Sequence, residues 1–433
     1  MKRLIRTAIF GILLLVCICS AQAQDRKNIL KIYNWADYID EDVLASFKDW
    51  YKEQTGEEIE IIYQLFDINE IMLAKIERGH EDFDVVCPSD YIIERMLRNN
   101  LLLPIDRNFG KTPNYIRENV SPYIVECINQ IDNSGYNPNE YVVPYMWGTT
   151  GILYNTKYVT KEEAMSWGIL LDEKYQGKIL LKDAFRDVFC PILAYMKYDQ
   201  LQKGEITLKD LMRDSSDEAI ALVEKFLNQA KQNISGWEAD FGKEMMTKGN
   251  IYINMTWGGD AAWAIKEAGE VGVELDYTVP KEGSNVFFDG WVIPKYAKNT
   301  KAASYFINYM CIPENAIKNM EAIGYVSAIA SEEVLKVKED PEIKEFSNVS
   351  YFFGPGHDSV HINHIQYPDK SVIERCAMMH DSGDRTEKML EMWSRVKGDN
   401  MGTGKYLVIG CLVILALGLL VWRSAKKSRR SHR

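Results

Sequence analysis

Apolar and polar positions alternate from Lys31 to Trp35, which predicts a strand entering a turn. Glu41 to Gln54 repeats with helical spacing, and Glu58 to Gln64 alternates again. Glu70 to Glu77 is helical, Phe83 to Pro88 is an apolar strand, and Tyr91 to Asn99 is the helix after it. Strand and helix in strict alternation predict a parallel, doubly wound sheet of the α/β class. Ligands of such sheets lie beyond the carboxyl ends of the strands. The residues that matter are therefore the ones following each strand: Trp35 to Tyr38, and Ser89 to Tyr91.

The same pattern returns downstream. Ile179 to Leu181 reads as a strand leading into Lys182–Asp187. Ile251 to Trp257 is a strand after which Gly258-Gly259-Asp260 opens a helix, and Asn285 to Phe288 is a strand ending in Asp289. No internal repeat or flexible linker interrupts residues 24–398.

The ends of the chain follow different rules. Lys2, Arg3 and Arg6 precede an apolar run from Ile9 to Cys19, and Ala21-Gln22-Ala23 is a small-x-small cleavage site. Residues 1–23 are thus expected to be a signal peptide. Lipidation of Cys17 or Cys19 fits less well, because Val16 and Ile18 stand where a small residue is wanted. At the other end, residues 406–422 are uncharged and apolar, with Tyr406 and Trp422 at the margins. That length is near the lower limit of about 17 residues for a spanning helix, and the aromatics sit where interfacial rings belong. Arg423, Lys426, Lys427, Arg429, Arg430 and Arg433 then form a basic tail, expected to be cytoplasmic by the positive-inside rule. Residues 399–405 are a short polar linker.

These assignments change the charge picture. The whole chain of 433 residues carries −11; the signal contributes +3 and the tail +6, neither with an acid, so the exported part carries −20. A domain this acidic disfavours nucleic acid as a partner and steers cations toward it. The 382 residues from 24 to 405 exceed what one core usually supports, so two lobes are expected. Cys87, Cys127, Cys190, Cys311 and Cys376 are irregularly spaced and show no disulfide or zinc pattern.

At the predicted strand ends one kind of constellation recurs. Trp35 stands with Asp37 and Tyr38, Tyr91 follows Ser89, Trp257 precedes Asp260, Phe287 precedes Asp289, and Asp187 follows its own strand. Carboxylates beside aromatic rings suit an alkyl-ammonium ligand. Ammonium groups want charge-assisted hydrogen bonds, and aromatic faces cover methylenes and attract the cationic ends. Residue by residue, the alternative stays open that the rings are core and that Asp260 is a helix cap.

Longer motifs carry a resemblance. Tyr33-Asn-Trp-Ala-Asp-Tyr-Ile39, Phe83-Asp-Val-Val-Cys-Pro-Ser-Asp-Tyr91, Pro144-Tyr-Met-Trp-Gly-Thr-Thr-Gly151, Thr256-Trp-Gly-Gly-Asp260, Pro280-Lys-Glu-Gly283, Phe287-Phe-Asp289 and Ile323-Gly-Tyr325 occur in order over nearly all of residues 28–398. The sequence resembles the spermidine/putrescine-binding proteins of bacterial ABC importers. The resemblance implies a two-lobed periplasmic-binding-protein fold (type II-like), each lobe a doubly wound, mainly parallel sheet, here with one C-terminal transmembrane helix added. It implies lobe 1 from 25–146 plus 288–324 and lobe 2 from 147–287 plus 325–398, closing on a polyamine held between them. By position it implies ligand contacts from Trp35, Asp37, Tyr38, Ser89, Tyr91, Asp187, Trp257, Asp260, Phe287, Asp289 and Tyr325, with Asp289 the principal amine-binding carboxylate. It implies no cofactor, no metal and no catalysis, and as partners a permease and its ATPase subunit. It places the domain on the periplasmic face of the inner membrane.

Some positions depart from the family pattern. Ala36 replaces a hydroxyl residue, Asp90 adds a charge, and Ala184 stands where spermidine-preferring members carry an acid. The C-terminal anchor is the largest departure.

Rival readings are an enzyme, a sensing ectodomain on the same fold, and a binder of another small cation. The sequence has no Gly-x-Ser-x-Gly elbow, no His-Glu-x-x-His and no phosphate-binding loop. Cys87 near the predicted site reads as a buried thiol, and His357, His361 and His364 as a polar loop surface.

Overall fold

The alternating segment near the start is strand β1, Ile29–Trp35, and it buries Leu30, Ile32 and Tyr33. The helix that follows, Glu41–Thr55, begins where the Asp40 side chain accepts from the Val43 N–H and ends at Gly56, whose φ of 75° is left-handed. Its Val43, Phe47 and Tyr51 share one buried face, with Phe47 edge-on to Phe306 at 5.2 Å. The computed structural model describes residues 26–131, 135–239 and 241–398. The expected signal peptide, linker, membrane helix 406–422 and basic tail lie outside those residues. Among the described residues no helix is long and apolar enough to cross a membrane.

The other strands in chain order are β2 Glu60–Phe66, β3 Val85–Val86, β4 Leu102–Leu103, β5 Val142–Asn155, β6 Ile179–Lys182, β7 Ile234–Glu238, β8 Ile253–Trp257, β9 Leu275–Thr278, β10 Ser284–Pro294, β11 Val326–Ser327 and β12 Cys376–Met378. The described chain forms two compact units. Unit 1 contains the described residues up to Gly151, Trp257–Lys266 and Ser284–Asp381; unit 2 contains Ile152–Thr256, Glu267–Gly283 and the chain from Ser382.

In unit 1, β1 pairs in parallel with β2 and β3, as strand–helix alternation requires. β10 then runs antiparallel to β3, β4 and β5. β11 adds antiparallel to β5, and β12 parallel to β10. The sequence reading groups 325–398 with the second lobe. β11 and β12 meet β5 and β10 at Met146–Trp147 and at Ser284–Val286, nearly all of which that reading also places in the second lobe, whereas the compact units divide the chain elsewhere and hold Ser284–Asp381 in unit 1. In unit 2, β6 lies parallel to both β7 and β8, and the end of β5 pairs antiparallel with β9. The parallel portions are those built from strand–helix alternation, and the antiparallel ones come from long strands such as β5 and β10.

Strand β10 corrects the expectation that Asp289 terminates a strand. It continues to Pro294, and its register against β5 shifts between Asp289 and Gly290. At the shift the Gly290 N–H turns to the Pro88 carbonyl at 3.0 Å. Beyond it Trp291, Val292 and Ile293 are fully buried. Asp289 thus sits mid-strand, at an irregularity of the kind that re-aims a side chain.

The core of unit 2 contains an ion pair. Lys182 at the end of β6 meets Glu238 at the end of β7, Nζ to Oε1 at 3.1 Å, with both side chains out of water. Glu238 also accepts from the Gly242 N–H and the Asn254 amide. Residues 386–398 form the last described helix. It is fixed to unit 2 by Trp393 and Lys397 donating to Asp183, and by Arg395 on Glu224.

Candidate ligand-binding site

The turn after β1 is set by its backbone. Asp37 has φ of 51°, a left-handed conformation that costs a non-glycine residue about 1 kcal/mol. Neighbouring side chains stabilise it. The fully buried Asn34 amide donates to the Tyr38 carbonyl at 3.2 Å and to the Tyr63 hydroxyl at 2.9 Å, and the Tyr145 hydroxyl donates to the same Tyr38 carbonyl at 3.0 Å. The Tyr38 main chain is pinned, and its ring points inward.

Tyr38 donates its hydroxyl to Oδ2 of Asp289 at 2.8 Å. Ser89 donates Oγ–H to Oδ1 of the same carboxylate at 2.7 Å. Ser89 occupies the residue before the helix Asp90–Arg98, where serine ordinarily caps, yet it makes no cap hydrogen bond. Its hydroxyl serves Asp289 instead. Burial first, and the Asp289 charge next, push the Tyr38 phenol well above its ordinary range, so Tyr38 stays a donor at any physiological pH.

A second carboxylate is held in a similar way. Asp260, in the first turn of the helix Gly258–Glu270, accepts from the Tyr325 hydroxyl at 3.0 Å. The Tyr325 ring lies so close over Gly259 that a Cβ there would stand 2.5 Å from ring carbons. Tyr38 and Tyr325 meet edge to face at 5.3 Å, which joins the two carboxylates through a pair of rings. Trp257 and Phe287 make a further edge-on pair at 6.3 Å. Phe287 rests on the bare backbone of Gly148.

Of the other sequence-predicted residues, Trp35 packs its ring on Phe66 at 4.5 Å, and Asp37 is exposed at its turn. Tyr91 joins Ser89 through Asn69, whose amide donates to both hydroxyls, at 3.0 Å to Ser89 and 3.1 Å to Tyr91. Asp187 belongs to unit 2, buried on the helix Phe185–Met196, and Ala184 precedes that helix without capping it. Unit 1 therefore brings together Tyr38, Ser89 and Asp289, then Tyr325 and Asp260, with Trp257 and Phe287.

Sequence reasoning missed Asn69, Asn34, Tyr145 and Phe66, because none is a carboxylate–aromatic pair at a strand end. Asn34 was visible as a member of the first strand and of the motif that begins at Tyr33, and Phe66 lay beyond the predicted end of the second strand at Gln64. Cys87 lies in the same region, and burial followed by the Asp289 charge pushes its thiol well up, opposite to what an activated nucleophile needs. What the arrangement can do is bind. It offers anionic acceptors already oriented by hydroxyl donors, and aromatic walls for an alkyl chain.

Residues 46–345 match the sequence profile of bacterial extracellular solute-binding proteins. The chain belongs to this family. It is a binding protein rather than an enzyme. Among similar proteins, a putrescine-binding periplasmic protein of Escherichia coli is 29% identical over 357 residues, covering 79% of this chain and 89% of its own. A spermidine/putrescine-binding periplasmic protein of the same species is 28% identical over 381 residues, covering 87% of this chain and 94% of its own. A solved structure described as a putative spermidine/putrescine ABC transporter from Listeria monocytogenes aligns with TM-score 0.68 and 30% identity over 86% of this chain and 99% of that one. A Streptococcus pneumoniae spermidine/putrescine substrate-binding protein aligns with TM-score 0.62 and 29% identity, over 86% of this chain and 98% of that one. The solute-binding protein thus has the two-lobed periplasmic-binding-protein α/β fold.

Proposed function

We propose that this solute-binding protein captures a polyamine, putrescine and/or spermidine, outside the cytoplasm and delivers it to the permease of an ABC importer powered by its ATPase subunit. The observation that carries this reading is the Asp289 carboxylate. It is oriented by Tyr38 and Ser89, and it shares its region with a second carboxylate, Asp260, on Tyr325. Similar proteins named for putrescine and spermidine support the choice of ligand. In this reading Asp289 and Asp260 take ammonium groups, while Trp35, Tyr38, Tyr91, Trp257, Phe287 and Tyr325 line the methylene chain. Asp37, Ser89 and Asp187 complete the polar set, Asp187 on the strength of the resemblance alone.

The test is calorimetry with putrescine and with spermidine. Binding of one of them tighter than about 100 μM is expected. Failure of both to reach that range overturns the polyamine ligand and leaves another small cation as the solute.

The proposal includes a single-pass anchor at 406–422, with the domain on the periplasmic face and the tail 423–433 in the cytoplasm. It is supported by the uncharged run, its flanking aromatics and the basic residues after it. Membrane fractionation tests it. The full chain is expected in the membrane fraction after carbonate washing, and a chain ending at residue 398 in the soluble fraction. A full chain released by the wash sinks the anchor.

A further inference from the structure

Asp289 is held by Ser89, and Ser89 is itself held. Asn69 opens the helix Asn69–Glu77 and is nearly buried, 5% exposed. Its Nδ2 donates to Ser89 Oγ at 3.0 Å and to the Tyr91 hydroxyl at 3.1 Å, while its Oδ1 accepts from the Ser89 backbone N–H at 3.4 Å. A backbone N–H can only donate, so it places the oxygen of the amide on its own side and the NH₂ toward the two hydroxyls. Direction then propagates. Ser89 Oγ receives a hydrogen from Asn69, so its own hydrogen is free to point at Oδ1 of Asp289, 2.7 Å away. The Tyr91 hydroxyl likewise accepts from Asn69 and lies 3.4 Å from Glu70 Oε1.

We infer that Asn69 is the positioning residue of the amine site: it fixes the Ser89 hydroxyl as a donor to Asp289 and so presents that carboxylate, ionised and aimed, to an ammonium group of the ligand. Asn69 need not touch the ligand. It acts through Ser89, and the cost of orienting the hydroxyl falls on folding rather than on binding. A serine hydroxyl without such a donor rotates among several acceptors. The Ser89–Asp289 bond would then be made only part of the time, and the carboxylate would bind a proton more readily. The inference rests on the polyamine reading for the ligand, but the state of Asp289 can be measured without one.

The experiment uses the full chain and its Asn69→Leu variant, which has similar volume and no hydrogen-bonding groups. Carbon NMR of aspartate-labelled protein follows the carboxyl titration, with Asp289→Asn identifying the Asp289 signal. Calorimetry with putrescine follows binding. In Asn69→Leu the Asp289 midpoint is expected to rise by about half a unit or more, and putrescine affinity to fall roughly threefold to tenfold. Where Asn69→Leu does not fold, Asn69→Ser, smaller and still polar, is judged by the same two readings. A variant that only melts earlier, with the midpoint unmoved, shows a packing role and overturns the inference. A moved midpoint with unchanged putrescine affinity also overturns it. If the wild type does not bind putrescine but the midpoint moves, the polyamine reading falls and the control of Asp289 by Asn69 stands.

Discussion

Tyr38 and Asp289 are joined by a hydrogen bond of 2.8 Å between a phenol that burial keeps protonated and a carboxylate that accepts it. The pair links both carboxylates of the candidate site, because the ring of Tyr38 also meets Tyr325 and through it Asp260.

Replacing Asp289 by asparagine removes the charge while keeping the shape. A hydrogen bond to a charged group contributes about 1.5–3 kcal/mol, so putrescine affinity is expected to drop roughly 10- to 150-fold. Tyr38→Phe, which leaves the charge and removes one donor, is expected to cost about tenfold or less. Calorimetry on both variants checks the ranking. An unchanged affinity in Asp289→Asn removes Asp289 from the site.

Gly259 has no room for a side chain, since its Cβ would meet the Tyr325 ring near its base at 2.5 Å. The base of a ring cannot move without moving the whole ring. Gly259→Ala is expected to displace Tyr325 from Asp260, weaken ligand binding and destabilise the fold by about 1–3 kcal/mol. Thermal unfolding and a ligand titration measure the two effects. A variant that matches the wild type in both shows that the ring can yield.

The buried Lys182–Glu238 pair predicts an asymmetric pattern of stabilities. Lys182→Met strands the Glu238 carboxylate out of water and is expected to cost about 3–5 kcal/mol. Lys182→Met combined with Glu238→Leu removes both charges and is expected to cost less than the single change. Urea unfolding of the two variants decides it, and equal or greater cost in the double variant contradicts the account.

Acid weakens one helix start in particular. Glu163 closes a capping box with Thr160 and pairs with Lys174 at 2.7 Å. The Lys174 ammonium first, then the Thr160 backbone N–H, hold its carboxyl down at about 2. The folded state therefore binds this proton less readily than the unfolded one. Its contribution is present above the ordinary carboxylate range and is lost as pH falls from about 4.5 toward about 2. The stability gap between wild type and Glu163→Gln should shrink over that window, as read by urea unfolding at several pH values. A gap that widens toward acid has the wrong sign for this mechanism.

Much of this was legible in the sequence, for identifiable reasons. Period and turn chemistry located β1, the helix Glu41–Thr55 and the helix Asp90–Arg98 to within a residue or two. Strand β2 starts and ends two residues later than its alternation suggests, because it runs in register with β1 from Ile29↔Glu60 to Trp35↔Phe66, and Phe66 packs on Tyr33 and Trp35 at its far end. Pairing of carboxylates with aromatics picked out Asp289 and Asp260. It could not show that Asp289 lies mid-strand, since the shift at Gly290 depends on the Pro88 carbonyl, far away in sequence. Asn69 was illegible for a related reason. An asparagine at a helix start looks like local capping, and its partners Ser89 and Tyr91 come together only in three dimensions.

The donors on Asp289 lie 251 and 200 residues before it in the chain. An exported polypeptide emerges from its N-terminus, so Tyr38 and Ser89 have left the cytoplasm long before the residue they serve. The centre proposed to bind the amine cannot exist on a partly emerged chain, and closing contacts so distant in sequence is slow compared with forming local helices. Ligand competence is therefore among the last properties this protein acquires during its biogenesis, and solute present along the export route has nothing to bind until most of the chain has crossed.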